Sequence, residues 1–285
     1  ASSTRLPARA AASVEGRPAA PTMAAMTAST SAPAAHCASA SAPQRTSTAV
    51  EKVYSHLKDK GVAKVAVMTA KDAFGQDGLN HLKNMAAKYG LEIVAEETFD
   101  PKGTDFSAQA FKLATASPQA VIIWTIGPAG AIAAKNFAAL PGVKPLVVEC
   151  HGQPGPEFLQ LAGPAANGVL MPATKLMAPD SLAASDPQAA VIKAFIADYD
   201  KEGIQAKFPL NTHSGYAFDA LILLQAGLQK AGKADPAALR DALESLKNVV
   251  GVSGVFTITP EDQTGLTTDS VVMLEVVDGK YAVAK

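Results

Sequence analysis

The sequence predicts an α/β fold: a doubly wound parallel-sheet lobe, complete in itself, followed by a helical portion that supplies only part of a second lobe. Three observations carry this expectation. Short apolar runs of strand length alternate with amphipathic helical patterns from about residue 49 to residue 173. The connections between them are short, with Gly61 and Gly90 standing just past the ends of helical patterns, which implies right-handed βαβ crossovers and helices on both faces of a sheet. After residue 173 the alternation stops and three helical patterns follow in succession.

In order, Val50, Val53, Tyr54 and Leu57 recur at helical spacing, and KVAVMT (64–69) then reads as a buried strand. Leu79, Leu82, Met85 and Tyr89 mark a helix, residues 92–98 a strand, and Phe106, Ala110 and Leu113 another helix. Residues 121–126 form a third strand, followed by a helix near 129–139, a strand at 146–149, a short helix near 157–161 and a strand at 168–173. Ile192, Phe195, Ile196 and Tyr199 open the helical portion, with a long apolar helix over about 214–230 next. The third helix has Asp235 as its cap, Pro236 at its first position, and a stripe of Leu239, Leu243 and Leu246. Strands at 254–259 and 271–277 and a DGK turn (278–280) finish the chain.

The boundaries expected are 1–46 a disordered or misread segment, 47–173 the complete lobe, 174–250 the partial helical lobe, and 251–285 C-terminal strands crossing the hinge between the lobes. Residues 1–48 are built almost wholly from Ala, Ser, Thr, Pro and Arg, with no lysine and the single acid Glu15. An export signal needs a continuous apolar stretch of roughly 7 to 15 residues, and this segment has none. A fragment or misread start, a flexible linker and a transit peptide all fit such a composition, and each implies disorder before about residue 46.

With 48% hydrophobic and 18% charged residues, the 285-residue chain is ordinary for a globular protein. Its 25 basic and 26 acidic residues leave a net charge of −1, so no global field draws nucleic acid or an anionic membrane. The longest apolar runs fall far short of the roughly 18 to 20 residues that span a bilayer. Cys37 and Cys150 are too few for a disulfide scaffold.

Phosphate-cradling, dinucleotide-binding, zinc-protease and hydrolase motifs are absent from the sequence. In a doubly wound sheet ligands bind beyond the carboxyl ends of the strands, which singles out the loops after Thr69, Ile126 and Glu149. Phe74 in KDAFGQDG is placed to shield a ligand or to pack on the helix it begins. His151 in ECHG follows a strand and either contacts ligand or packs. His213, before the long apolar helix, faces a cleft or helps to cap that helix. His56 and His81 lie on the polar sides of their helices and are expected in solvent. Cys150 and His151 are neighbours at a strand end, point opposite ways, and do not make a nucleophile–base pair.

The stretches KVAVMTAKDAFGQDG, FDPKGTDFSAQAFKL, QAVIIWTIGPAGAIAAKNF, GVLMPATKL and HSGYAFDALILLQAGLQKAG, in this order, resemble the type I periplasmic solute-binding proteins of the branched-chain amino-acid (Leu/Ile/Val) receptor family, from about Gln44 to Lys285. The resemblance implies two lobes that close on a small ligand and hand it to the membrane subunits of an ABC transporter. It further implies a periplasmic location, no catalysis, and no cofactor, metal or nucleic acid. By position, Phe74 matches the family's aromatic, Ile126 with Thr125 and Gly127 its contact after the third strand, and His213 its residue before the long helix. His151 stands where the family usually has an acid for the ligand ammonium, so the ligand is an amino acid, with Glu149 taking that role, or an aromatic or aliphatic carboxylate. Against the family the first hundred-odd residues are missing, so this chain is expected to bind ligand poorly and to expose apolar surface. Two other readings stand beside the receptor: a cytoplasmic ligand sensor of the same fold, and an α/β enzyme using His151 or Cys150.

Overall fold

The computed structural model describes residues 45–142 and 144–285. The segment expected to be disordered lies outside the described residues up to position 44. Arg45 is already held in place, its guanidinium 2.6 Å from Asp262 and its Nε donating to Thr264. The chain then runs α1 (Thr46–Asp59), β1 (Lys64–Ala70), α2 (Ala73–Ala86), β2 (Glu92–Phe99), α3 (Ser107–Thr115), β3 (Ala120–Trp124), α4 (Pro128–Ala138), β4 (Leu146–Glu149), α5 (Pro156–Ala162) and β5 (Leu170–Thr174). The helical portion follows with α6 (Ala189–Lys201), α7 (Thr212–Ala231) and α8 (Pro236–Leu243). Four strands close the chain: β6 (Val249–Val250), β7 (Val255–Phe256), β8 (Val271–Val277) and β9 (Lys280–Val283).

The main sheet has the order β2-β1-β3-β4-β5-β8-β9, parallel through β5 and antiparallel at β8 and β9. Both faces are covered because strand residues alternate sides. Val65, Val67, Ile122 and Val148 pack against Val50, Tyr54 and Leu57 of α1 and Leu79 and Leu82 of α2. Their alternates Ala66, Met68, Val121 and Ile123 pack against α3 and α4 through Leu113 and Phe137. α5 covers β5 and β8 through Phe158 and Ala162.

The C-terminal strands depart from expectation. Residues 254–259 yield only β7, which pairs with β6 in a separate two-stranded ribbon, while β8 joins the main sheet beside β5. The DGK turn forms, with Asp278 and Gly279 both at positive φ, and folds the chain back into β9, which the sequence reading did not foresee. β8 also corrects the reading of His56. α1 packs on β8, so this histidine is half-buried and its Nε2 has no partner, instead of lying in solvent. His81 remains on the surface, 3.6 Å from Asp77.

α7 is the centre of the helical portion. Phe218 and Ile222 pack on Phe195 and Tyr199 of α6, and Leu223 on the side of α8 and β7. Asp235 caps α8 as expected, accepting from the Ala238 N–H, but Leu239 and Leu243 are only half-buried and Leu246 lies past the helix end. A third side of α7, carrying Ala217, Leu221 and Leu228, is exposed among the described residues.

Candidate functional site

The strand order reverses between β1 and β3, because the chain goes out to β2 and returns across β1. At such a switch point the loops beyond the carboxyl ends diverge and leave a crevice. The loop after β1 leads into α2 with Phe74 in its first turn. The loop after β3 is Thr125–Gly127, and the loop after β4 carries Cys150 and His151.

These three loops meet through aromatic rings. Phe74 and His151 have ring centroids 5.7 Å apart, Trp124 and His151 5.6 Å, and Phe74 and Trp124 6.1 Å. Trp124, the chain's one tryptophan, is fully buried and lies flat on α2. A Cβ at Gly78 would come within 2.2 Å of its Cδ1, so α2 can approach the indole only because that position is glycine. Phe74 is half-buried, and His151 is 6% exposed.

Backbone carbonyls of the β3 loop hold the β4 loop in place. The Cys150 thiol donates to the Thr125 carbonyl at 2.9 Å, and Gln153 Nε2 donates to the carbonyls of Thr125 and Gly127 at 3.1 and 3.2 Å. The Thr125 side chain is buried and its hydroxyl turns back to the Ile126 carbonyl at 3.4 Å. Ile126 is half exposed and packs over Gly152. Gly127, at φ +75°, turns the chain into Pro128, the first residue of α4.

From the helical portion, α7 begins beside the β4 loop: its cap Asn211, which accepts from the Ser214 N–H, lies near Gly155. His213 stands exposed in the first turn, edge-on to Tyr216 at 5.9 Å, and close enough to His151 to hold that imidazole's pKa down. Phe74 and His151 thus meet, His213 lies near enough to act on the His151 imidazole, Ile126 sits over Gly152, and the Thr125 and Gly127 carbonyls hold Gln153.

Electrostatics separates three groups that are adjacent in sequence. Burial pushes Glu149 well above the usual carboxylate range, and neither of its oxygens has a hydrogen-bond partner. Its carboxyl lies under α4, beside Gly130, on the opposite face of the sheet from the ring cluster. The expectation that Glu149 can take the ammonium role beside His151 is therefore corrected. It fails because the strand ends at Glu149, and period-two alternation no longer holds across Cys150 and His151. Burial raises the Cys150 thiol to about 12, so it stays protonated. Burial, aided by His213 and opposed by Asp77, lowers His151 to about 4.

The last shift predicts a pH dependence. The imidazole is neutral in both folded and unfolded chains above its ordinary value of 6.5. As pH falls from 6.5 to about 4 the unfolded chain takes the proton first, so the folded state loses about 3 kcal/mol. Urea unfolding of the wild type and His151→Gln should show their stability difference changing by that amount across the window. A difference that stays constant with pH would show that His151 titrates normally.

Sequence reasoning missed Trp124, Gln153 and Asn211 as parts of this site. A tryptophan closing an otherwise aliphatic strand at its carboxyl end was the available signal for the first. Gln153 and Asn211 gave none, since only the meeting of distant loops assigns them work.

The sequence model of one family, described as "Periplasmic binding protein", matches residues 1–280. The chain belongs to this periplasmic binding protein family. Among its relatives, the Leu/Ile/Val-binding protein BraC3 of Rhizobium johnstonii is 28% identical over 249 residues, covering 85% of this chain and 61% of that protein. The chain thus spans 60–61% of the length of the curated relatives it matches. The solved structure of Rp1789 from Rhodopseudomonas palustris superposes with a TM-score of 0.78 at 29% identity, over 85% of this chain and 69% of that one. A branched-chain amino acid ABC transporter protein from Thermus thermophilus with bound valine shares the fold, at a TM-score of 0.69 and 20% identity over 85% of this chain and 65% of its own. This periplasmic binding protein has, among its described residues, no helix long and apolar enough to cross a membrane and no cluster of His, Cys, Asp and Glu fit to hold a metal ion.

Proposed function

We propose that this periplasmic binding protein is the solute-receiving component of an ABC importer of the branched-chain amino-acid type, working in the periplasm. It captures a small amino acid or carboxylate between the sheet lobe (47–173, with β8 and β9) and the helical portion (174–250), and delivers it to transporter membrane subunits without chemical change. The observation that carries this reading is the cluster of Phe74, Trp124 and His151 at the switch point, faced by His213 from α7. An apolar wall with a few convergent polar groups suits reversible capture of a small organic molecule. The family is one of solute-binding proteins, and the thiol and imidazole nearest the site are respectively held protonated and left unpaired with each other.

Trp124 is a built-in probe, since all tryptophan fluorescence comes from the site. Titration with L-leucine, L-valine and matched carboxylates, carried to the high concentrations that the weak binding expected of this chain requires, should give a saturable change with at least one of them. Phe74→Ala should weaken that binding by roughly tenfold to a hundredfold, because a buried aromatic contact is lost. A flat titration with every compound, or a Phe74→Ala variant that binds as the wild type does, would overturn the assignment of the site.

A further inference from the structure

Two of the three rings carry buried polar atoms with nothing to bind. Trp124 Nε1, which can only donate, is fully buried and has no partner, and His151 Nδ1 is also buried without one. Unmatched groups of this kind are rare in folded proteins and call for a ligand, an ion or a water. No acid answers them from inside the cluster. Glu149, which the sequence offers as the nearest, lies on the other face of the sheet under α4. Asp77, the carboxylate that His151 feels, is half exposed on α2 and sits 3.6 Å from His81. α7 adds His213 in its first turn, at the positive end of a 20-residue helix.

We infer that the ligand of this site is a monocarboxylate with an apolar, branched or aromatic body and no ammonium group, received by the Trp124 Nε1–H and His151. The inference rests on the receptor reading above and narrows it. In the proposed binding step the half-buried Phe74 ring swings aside, uncovers Trp124 Nε1 and His151 Nδ1, and then lies along the ligand's apolar body. A carboxylate oxygen satisfies the indole N–H. An ammonium in the same place would meet a donor and a neutral imidazole, with no carboxylate to replace its lost water. Burial keeps His151 uncharged near neutral pH, so it receives the ligand as a hydrogen-bonding group and not as a cation.

L-leucine and 4-methylpentanoate differ only by the α-ammonium and are the probes that decide. Titrated against Trp124 fluorescence of the 285-residue chain, 4-methylpentanoate is expected to bind about tenfold or more tightly than L-leucine, and 3-phenylpropanoate likewise against L-phenylalanine. His151→Glu, which supplies the missing acid, should erase or reverse that preference, whereas the neutral His151→Gln should retain its direction. Calorimetry on Trp124→Phe, which keeps a ring and removes the donor, should show about tenfold weaker carboxylate binding. Leucine binding as tightly as or more tightly than 4-methylpentanoate overturns the ligand class and leaves the receptor reading standing. No saturable signal from either pair overturns both. A preference unmoved in folded His151→Glu, or carboxylate binding unmoved in Trp124→Phe, overturns the part assigned to that residue.

Discussion

Replacing Asp219 by alanine is expected to lower the stability of the chain by about 3–5 kcal/mol, measured by urea unfolding at neutral pH. Asp219 lies mid-way along α7, buried, and its two oxygens accept from the N–H groups of Val252 at 2.6 Å and Ser253 at 2.7 Å. Those two residues form the tight turn between β6 and β7, and both are wholly buried. Removal of the carboxyl strands both donors, each at a cost of about 1–3 kcal/mol, and leaves a cavity beside Gly251. Burial raises this carboxyl to about 6 against the pull of its donors, a measure of how far the site is cut off from water. Asp219→Asn keeps one acceptor and should lose less than the alanine variant. A loss below about 1 kcal/mol for Asp219→Ala would mean that the ribbon holds itself through Phe256 and Leu246 alone.

The second large effect is expected at Gly75, where alanine should cost about 3 kcal/mol or more and loosen the ring cluster as well. Only two residues separate β1 from α2, and the second, Asp72, caps the helix by accepting from the Gly75 N–H at 2.7 Å. A Cβ on Gly75 would lie 2.0 Å from the carbonyl oxygen of Ala70. The obstacle is backbone, so no side chain can rotate away, and α2 must shift its first turn. Phe74 sits in that turn and would move off His151, altering Trp124 fluorescence in the folded variant. Gly90, also a glycine near α2 but in open space, provides the control: Gly90→Ala should cost only about 1 kcal/mol, for its positive φ. Equal melting of the two variants would show that the close approach at Gly75 carries no special weight.

Much of this protein could be read from its sequence, because its strands and helices are long enough to display their periods. The strands at 64–69 and 146–149 were legible as short apolar runs, and Asp235 with Pro236 marked the start of α8. Turn chemistry at DGK was legible for the same reason: positive φ at two successive positions restricts the residues allowed. What the pattern could not say was where β8 goes. An apolar strand of seven residues pairs equally well with several edges, and only packing of α1 across it placed it beside β5 and left His56 half-buried.

The site divides in the same way. The sequence by itself pointed to the loops at the carboxyl ends of β1, β3 and β4, because an alternating βα chain closes into one sheet whose crevice lies there. It also named Phe74, Ile126, His151 and His213 by their position near those ends and at the head of the long helix. The tertiary structure alone decided that Trp124 completes the cluster and that Glu149 does not. Both residues belong to regular strands, but their neighbours come from α2 and α4, far away in sequence. Which buried polar group finds a partner depends on those distant neighbours, and no local period encodes them.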